Sequence, residues 1–306
     1  MDTRTNGQRQ DSRKEARDRM RRIAAETVKI AETGVYYGRG EEIEIREAQR
    51  HSEEDSVLIT PEQAAELLRA SRANDGSRDS ADGEADLRPQ GRTDYRVVNQ
   101  SAVKAIRDLT AGGFDRIGVL NFASAKNAGG GFLNGAMAQE EALAASSGLY
   151  PSQLRHPRYY QSNRKSGTMM YTHHAIYSPD VVFFRNENFE LVAPPFLASV
   201  LTLPAVNYGE VLRQGEDPVR AKAVMLERMR LALAIFAERG DRNLVLGAYG
   251  CGVFGNDPAD VADWWRRLLD GEGWAAHFDR VVFAVLDRSK GGGTIRAFER
   301  IWGRAL

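Results

Sequence analysis

The chain has 306 residues, 42% hydrophobic and 27% charged, enough for one large domain or two modest ones with a real buried core. Its 42 Lys and Arg balance 42 Asp and Glu, which excludes a whole-molecule positive field of the kind that gathers nucleic acid or anionic lipid. A single cysteine excludes a disulfide framework and a thiolate zinc site, and a reducing cytoplasm is the simplest compartment.

The opening MDTRTNGQRQ has no apolar stretch, so no secretory leader is expected. Residues 1–22 carry eight basic and four acidic side chains, and the pattern fits a solvated helix face better than a nucleic-acid arm. Met20, Ile23, Ala24 and Val28 recur at helical spacing and predict a helix over 11–32. A strand follows over 42–45. Thr60-Pro61-Glu62-Gln63 reads as a helix start, with Thr60 as cap, Pro61 at the first helical position and Gln63 closing a capping box. Residues 71–93 are polar and rich in Gly, Asp and Ser, with no apolar period, and read as a loop or linker. This divides the chain into an N-terminal extension, 1–92, and a main domain, 93–306.

The main domain alternates strands and helices. Strands are expected over 96–99, 116–122, 181–184, 198–206, 243–248 and 280–286. Helices are expected over 101–109, 139–149, 218–238, 258–269 and 294–302, the third with Val219, Ala223, Leu226, Leu233 and Phe236 on its buried side. Such alternation indicates an α/β layer fold with a largely parallel central sheet. The longest uncharged run, between Glu190 and Glu210, is broken by Pro194, Pro195 and Pro204 and reads as buried strands, not a membrane span.

Ligands in open α/β sheets bind at the carboxyl ends of strands, and two strand ends stand out. The first carries Asn121-Phe122-Ala123, then Asn127, the triplet Gly129-Gly130-Gly131 and, after seven intervening residues, Gln139-Glu140-Glu141. The second is Gly250-Cys251-Gly252-Val253-Phe254-Gly255-Asn256-Asp257-Pro258. Glycine runs allow positive φ and close approach, and their amides can line an anion site. Taken alone, a glycine triplet is better explained as a turn, as in Gly291-Gly292-Gly293, and neither loop fits a P-loop or a Rossmann fingerprint. Paired acids beside the first triplet shift the balance, although two ordinary first-turn carboxylates favoured by the helix dipole remain an alternative. Phe254 reads equally well as a core aromatic or as a contact within the cleft. Cys251 has no histidine in its segment, so a thiol mechanism is not expected. The His173-His174 pair reads as a structural pair rather than a metal site.

The pattern N-F-A-S-A, G-G-G, Q-E-E at this spacing resembles the signature of the bacterial-type poly(ADP-ribose) glycohydrolases, which are macrodomain-fold enzymes. Ile176–Val181 and Pro204–Asn207 also resemble family segments, and the likeness covers residues 93–306. The resemblance implies a three-layer fold with a mixed central sheet between helices and a cleft for ADP-ribose at the strand ends. It implies hydrolysis of the ribose–ribose bonds of poly(ADP-ribose), reversing ADP-ribosylation, with no metal and no cofactor. Carried over by position, Glu141 is the catalytic acid and Glu140 its partner on the ribose hydroxyls. Asn121 and Asn127 fall around the distal ribose, Gly129, Gly130 and Gly131 in the catalytic loop, and Ala123 and Gln139 among the substrate-binding residues. Gly250, Gly252, Val253 and Phe254 hold the diphosphate and terminal ribose. The expected partners are the polymer, ADP-ribose and ADP-ribosylated proteins, with no membrane and no sequence-specific nucleic acid, and the chain is expected to be a monomer. A non-catalytic ADP-ribose reader and a hydrolase of single ADP-ribose units are the alternatives.

Overall fold

The computed structural model describes residues 6–75 and 93–303. Helix α1 (Asn6–Thr33) leads into a hairpin of β1 (Val35–Gly38) and β2 (Glu41–Glu44), then α2 (Arg46–Glu54), β3 (Val57–Ile59) and α3 (Pro61–Asp75). The second stretch begins with β4 (Asp94–Val98), α4 (Ala102–Ala111), β5 (Ile117–Phe122), α5 (Gln139–Ser146), α6 (Leu149–Leu154) and α7 (Pro157–Lys165). A long hairpin of β6 (Ala175–Arg185) and β7 (Leu191–Leu203) follows, then α8 (Tyr208–Arg213) and α9 (Pro218–Arg239). Strand β8 (Asn243–Leu246), α10 (Pro258–Arg266), β9 (Arg280–Ala284) and α11 (Gly293–Trp302) complete the fold.

Seven strands form one sheet in the order β3-β6-β7-β5-β8-β9-β4. Pairings from β7 through β5, β8 and β9 to β4 are parallel, while β6 runs antiparallel to both its neighbours, β3 and β7. The sheet is therefore mixed, as the family resemblance implies, and less uniformly parallel than alternation alone predicts. Side chains alternate across its parallel strands. Leu244 and Leu246 of β8 and Val281 and Phe283 of β9 face a core shared with α3, α9, α10 and α11. Val245 and Val282, one residue over, face a second core with α4. That period-two division, with helices on each face, is the physical basis of the three layers.

Local signals hold at several predicted element starts. Thr60 and Gln63 exchange reciprocal capping bonds, at 2.9 and 3.4 Å. Asp217 and Asp257 cap α9 and α10, each followed by proline. Other expectations shift. Residues 71–75 continue α3 instead of starting a loop, and the rest of that polar stretch, 76–92, lies outside the described residues. The single helix expected over 139–149 breaks after Ser146, where Ser147 turns extended with φ of −149° and ψ of 175°, and at Gly148 a Cβ would sit 1.6 Å from Gln49 Oε1. Strand β7 stops at Leu203, where Pro204 has no amide to continue the ladder. On α9, Leu233 and Phe236 are buried as expected, but Val219 is 77% exposed and Ala223 also faces solvent, and the buried stripe begins with Ala221, Met225 and Met229.

Residues before 93 do not stand apart from the main domain. Strand β3 is the edge of the central sheet, paired with β6. Met20, Ile23 and Ala24 of α1 pack on Phe132, Ala144 and Ala145, beside the glycine triplet and on α5. Helix α2 was not expected, because its sequence is polar all round. It buries Gln49 and Ser52, and Gln49 Nε2 donates to Gly148 O at 2.9 Å.

Arg185, buried at the end of β6, ties α1 in place. Its Nη2 pairs with Glu26 Oε2 at 2.7 Å, its Nε donates to Thr27 Oγ1 at 3.1 Å and its Nη1 to Phe189 O at 2.9 Å. Thr27 in turn donates to Ala145 O of α5 at 2.8 Å. Glu26 is 54% exposed, so what Arg185 contributes is chiefly its charge-assisted hydrogen bonds, worth about 1.5–3 kcal/mol. Arg185→Met should lower unfolding stability by about that amount in urea titration, and a loss under about 1 kcal/mol would show that α1 is held by its apolar face alone.

Candidate active site

A cleft of about 1420 Å³ opens at the carboxyl ends of β5, β8 and β9, between the 123–138 loop and the 248–257 loop. Strand β5 ends at Phe122 and the chain turns at Ser124, whose Oγ accepts from the amides of Lys126 and Asn127. Gly129 and Gly130 follow with φ of 63° and 58°, the left-handed region where glycine is at home. Helix α5 then begins at Gln139, so both acids sit in its first turn.

Each residue of the Gln-Glu-Glu run has its own task. Gln139 staples the helix to β5: its Oε1 accepts from Phe122 N at 2.9 Å and its Nε2 donates to Leu120 O at 2.8 Å. Glu140 is 3% exposed and receives three donors. Ser124 N reaches Oε2 at 2.7 Å, while Asn121 Nδ2 and Gln153 Nε2 reach Oε1 at 3.3 and 3.2 Å. Burial pushes its pKa up to about 8, against those donors and with the charge of Glu141 acting in the same direction as burial. Glu141 is half-buried. Its Oε1 accepts from Gly131 N at 2.9 Å and its Oε2 from Ala138 N at 3.0 Å. The second bond is half of a capping box, so the first-turn role weighed from sequence is present. Each oxygen still keeps a second lone pair for a ligand in the cleft.

The glycine that approaches both acids is Gly130. A Cβ there would lie 2.5 Å from Glu141 Oε1 and 2.9 Å from Glu140 Oε2. Backbone therefore passes closer to both carboxylates than any side chain would permit. The later triplet at 291–293 differs in kind. It turns into α11 while the Asp287 carboxylate accepts from the amides of Ser289 and Thr294, each at 2.9 Å. That is the tight turn read from sequence.

In the second loop Gly250 and Gly255 have φ of 73° and 69°. Asn256 pins the loop from below, its Nδ2 donating to Val206 O at 2.8 Å and Gly250 O at 3.1 Å. The amides of Gly252, Val253 and Phe254 donate to no group among the described residues. Three consecutive amides without a protein partner are thus available to a ligand at the cleft wall. Val253 is 94% exposed. Phe254 packs partly on the core and also lines the cleft, with its ring 6.2 Å from that of Tyr171.

Ten of the sequence-predicted site residues thus line one cleft: Asn127, Gly130, Gly131, Gln139, Glu140, Glu141, Gly250, Gly252, Val253 and Phe254. Three do not. Asn121, Ala123 and Gly129 are buried behind the wall, Asn121 as a donor to Glu140 and Gly129 as a donor to Gln153 Oε1 at 2.8 Å. Sequence reasoning missed Gln153, which bridges Glu140, Gly129 and Thr202 from α6, because a lone polar residue in an unpredicted helix carries no signal. It also missed Arg228, fully buried on α9, whose Nη1 donates to the carbonyls of Met170 and Pro204 at 2.8 and 2.9 Å beneath the second loop. Arg164 and Arg288, far apart in sequence, bring positive charge to the rim. Burial pushes the Cys251 thiol up to about 12, so it is no ready nucleophile. Among the described residues no three His, Cys, Asp or Glu side chains converge as a metal site requires.

A buried acid held up to about 8, against an ordinary 4.5, binds more protons folded than unfolded. The folded state therefore loses stability as pH rises from about 4.5 to 8, and Asp241, pushed up to about 7 by burial, adds to that trend. Glu140→Gln should flatten the fall in melting temperature between pH 5 and pH 8 by several degrees, whatever its offset at pH 5. Parallel curves for wild type and variant would show that Glu140 is ionised throughout.

Comparison with known proteins places this geometry. The microbial-type PARG catalytic domain (PARG, poly(ADP-ribose) glycohydrolase) matches residues 24–186. Poly(ADP-ribose) glycohydrolase from Thermomonospora curvata is 39% identical, with a TM-score of 0.84 over 93% of this chain and 99% of that one. The same enzyme bound to the inhibitor ADP-HPD superposes with a TM-score of 0.82 at 38% identity, again over 93% and 99% of the two chains. The Deinococcus radiodurans glycohydrolase in complex with ADP-ribose is 38% identical, with a TM-score of 0.74 over 84% of this chain and 98% of that one. None of the curated proteins compared with the chain matches it.

Proposed function

The chain belongs to the microbial-type poly(ADP-ribose) glycohydrolases, and from that premise we infer that it hydrolyses the ribose–ribose bonds of poly(ADP-ribose) and releases ADP-ribose. The observation that carries the reading is the pair of first-turn carboxylates closed over by Gly130, facing three free amides across one cleft. The amides of Gly252, Val253 and Phe254 take the diphosphate, supported by Arg288 at the rim. The terminal ribose then lies between Phe254 and the glutamates.

Cleavage of the glycosidic bond needs a proton on the leaving oxygen while positive charge builds on the ribose. Glu141, the more exposed acid, is placed to give that proton and then to take one from the attacking water. Glu140 is fixed by three donors and holds the ribose hydroxyls in register. The bound diphosphate lies close enough to the ribose to offset its developing charge. The substrate enters as polymer on ADP-ribosylated proteins, and the enzyme acts as a monomer.

Glu141→Gln keeps the size of the side chain and removes its transferable proton. General acid catalysis is typically worth about 10²–10⁴-fold, so turnover on polymer should fall by that factor while calorimetric binding of ADP-ribose persists. Near-normal turnover would remove Glu141 from the chemistry. Loss of binding together with turnover would make it a structural cap.

A further inference from the structure

Nine large apolar side chains are exposed among the described residues, and five of them (Leu133, Met137, Leu154, Val253 and Leu286) line the catalytic cleft. Concentration of that kind marks a binding surface. Val253 belongs to the anion loop and Leu286 follows β9. Leu133 and Met137, 46% and 56% exposed, belong instead to the 131–138 segment, whose ends donate backbone amides to Glu141. Glu141 is therefore held by both ends of this segment and shares the cleft with the anion loop.

The segment is firmly seated. Arg17 Nε of α1 donates to Asn134 O at 2.8 Å, and a Cβ at Gly135 would lie 2.4 Å from Arg17 O. Arg19, two residues along α1, lines the same cleft with its Nη2 3.4 Å from Asn188 O, and it forms no ion pair among the described residues.

We propose that Leu133 and Met137, with Arg19 beside them, hold the leaving unit of the polymer: its purine rests on the two apolar side chains and its 5′-phosphates face Arg19. The proposal rests on the glycohydrolase reading and extends it across the scissile bond. Each ribose–ribose bond joins a unit that supplies the reacting carbon to a unit that supplies the leaving hydroxyl oxygen. The first occupies the anion-loop side. The second carries its purine on the ring carbon adjacent to the one that bears the leaving oxygen, and a diphosphate at its 5′ end. A flat apolar base and an anion are the chemistry that two exposed apolar side chains and a free guanidinium complement.

The test is a comparison of Met137→Asp, Leu133→Asp and Arg19→Glu with wild type, using purified poly(ADP-ribose) for steady-state kinetics and free ADP-ribose for calorimetry. The KM for polymer should rise about tenfold in each variant, the equivalent of one partly buried apolar contact or one phosphate contact. The Kd for ADP-ribose should stay within about twofold, because the free product occupies only the other side of Glu141. Met137→Leu should keep the wild-type KM, and the melting temperatures should not move, since all of these side chains are exposed. An unchanged polymer KM in folded variants overturns the proposal, as does a parallel weakening of ADP-ribose binding, which would assign these residues to the terminal unit. A wild type that binds ADP-ribose and leaves polymer intact overturns the glycohydrolase reading itself, before any variant is compared.

Discussion

The backbone at Gly130 comes within side-chain distance of two carboxylates at once, and most of the site follows from that approach. It requires positive φ and no Cβ, which fixes glycine at that position. It places Gly131 N on Glu141, while the loop's earlier turn places Ser124 N on Glu140. Two adjacent acids are thereby given unequal surroundings, one buried under three donors and one facing the cleft. Unequal environments for paired carboxyl groups are how one fold separates a positioning acid from a proton-transferring one.

The rest of the molecule holds that approach steady. Asn121 from β5, Thr202 from β7 and Gln153 from α6 meet behind Glu140 and share their donors. Across the cleft, Arg228 fixes Pro204, and Asn256 fixes Val206 to Gly250, so the free amides are presented on a braced loop. Helix α1 closes the near side through Arg185 and through the apolar contacts of Met20 and Ile23. The N-terminal residues are thus part of the wall of the site as well as of the sheet.

Much of this was legible in the sequence. Apolar runs such as 117–122 and 280–284 announce buried strands, caps such as Ser101 and Asp257 announce helices, and the glycine and glutamate spacing marks both loops. What escaped detection has a common physical cause. Helix α2 buries polar residues, α6 is a single turn and a half, and Gln153 and Arg228 act through hydrogen bonds to backbone and side chains distant in sequence. Hydrophobic periodicity is blind to all four. The family resemblance sets Asn121 at the ribose and Gly129 in the catalytic loop, whereas the structure buries both, Asn121 donating to Glu140 and Gly129 to Gln153.

The most direct measurement is a time course of the wild-type protein on purified poly(ADP-ribose), with products separated by chain length. The account predicts accumulation of free ADP-ribose and progressive loss of long chains. Polymer that stays intact while bound by the protein would mean that the two glutamates are a cap in a reader, and release of ADP-ribose from singly modified proteins alone would mean that the cleft takes no second unit.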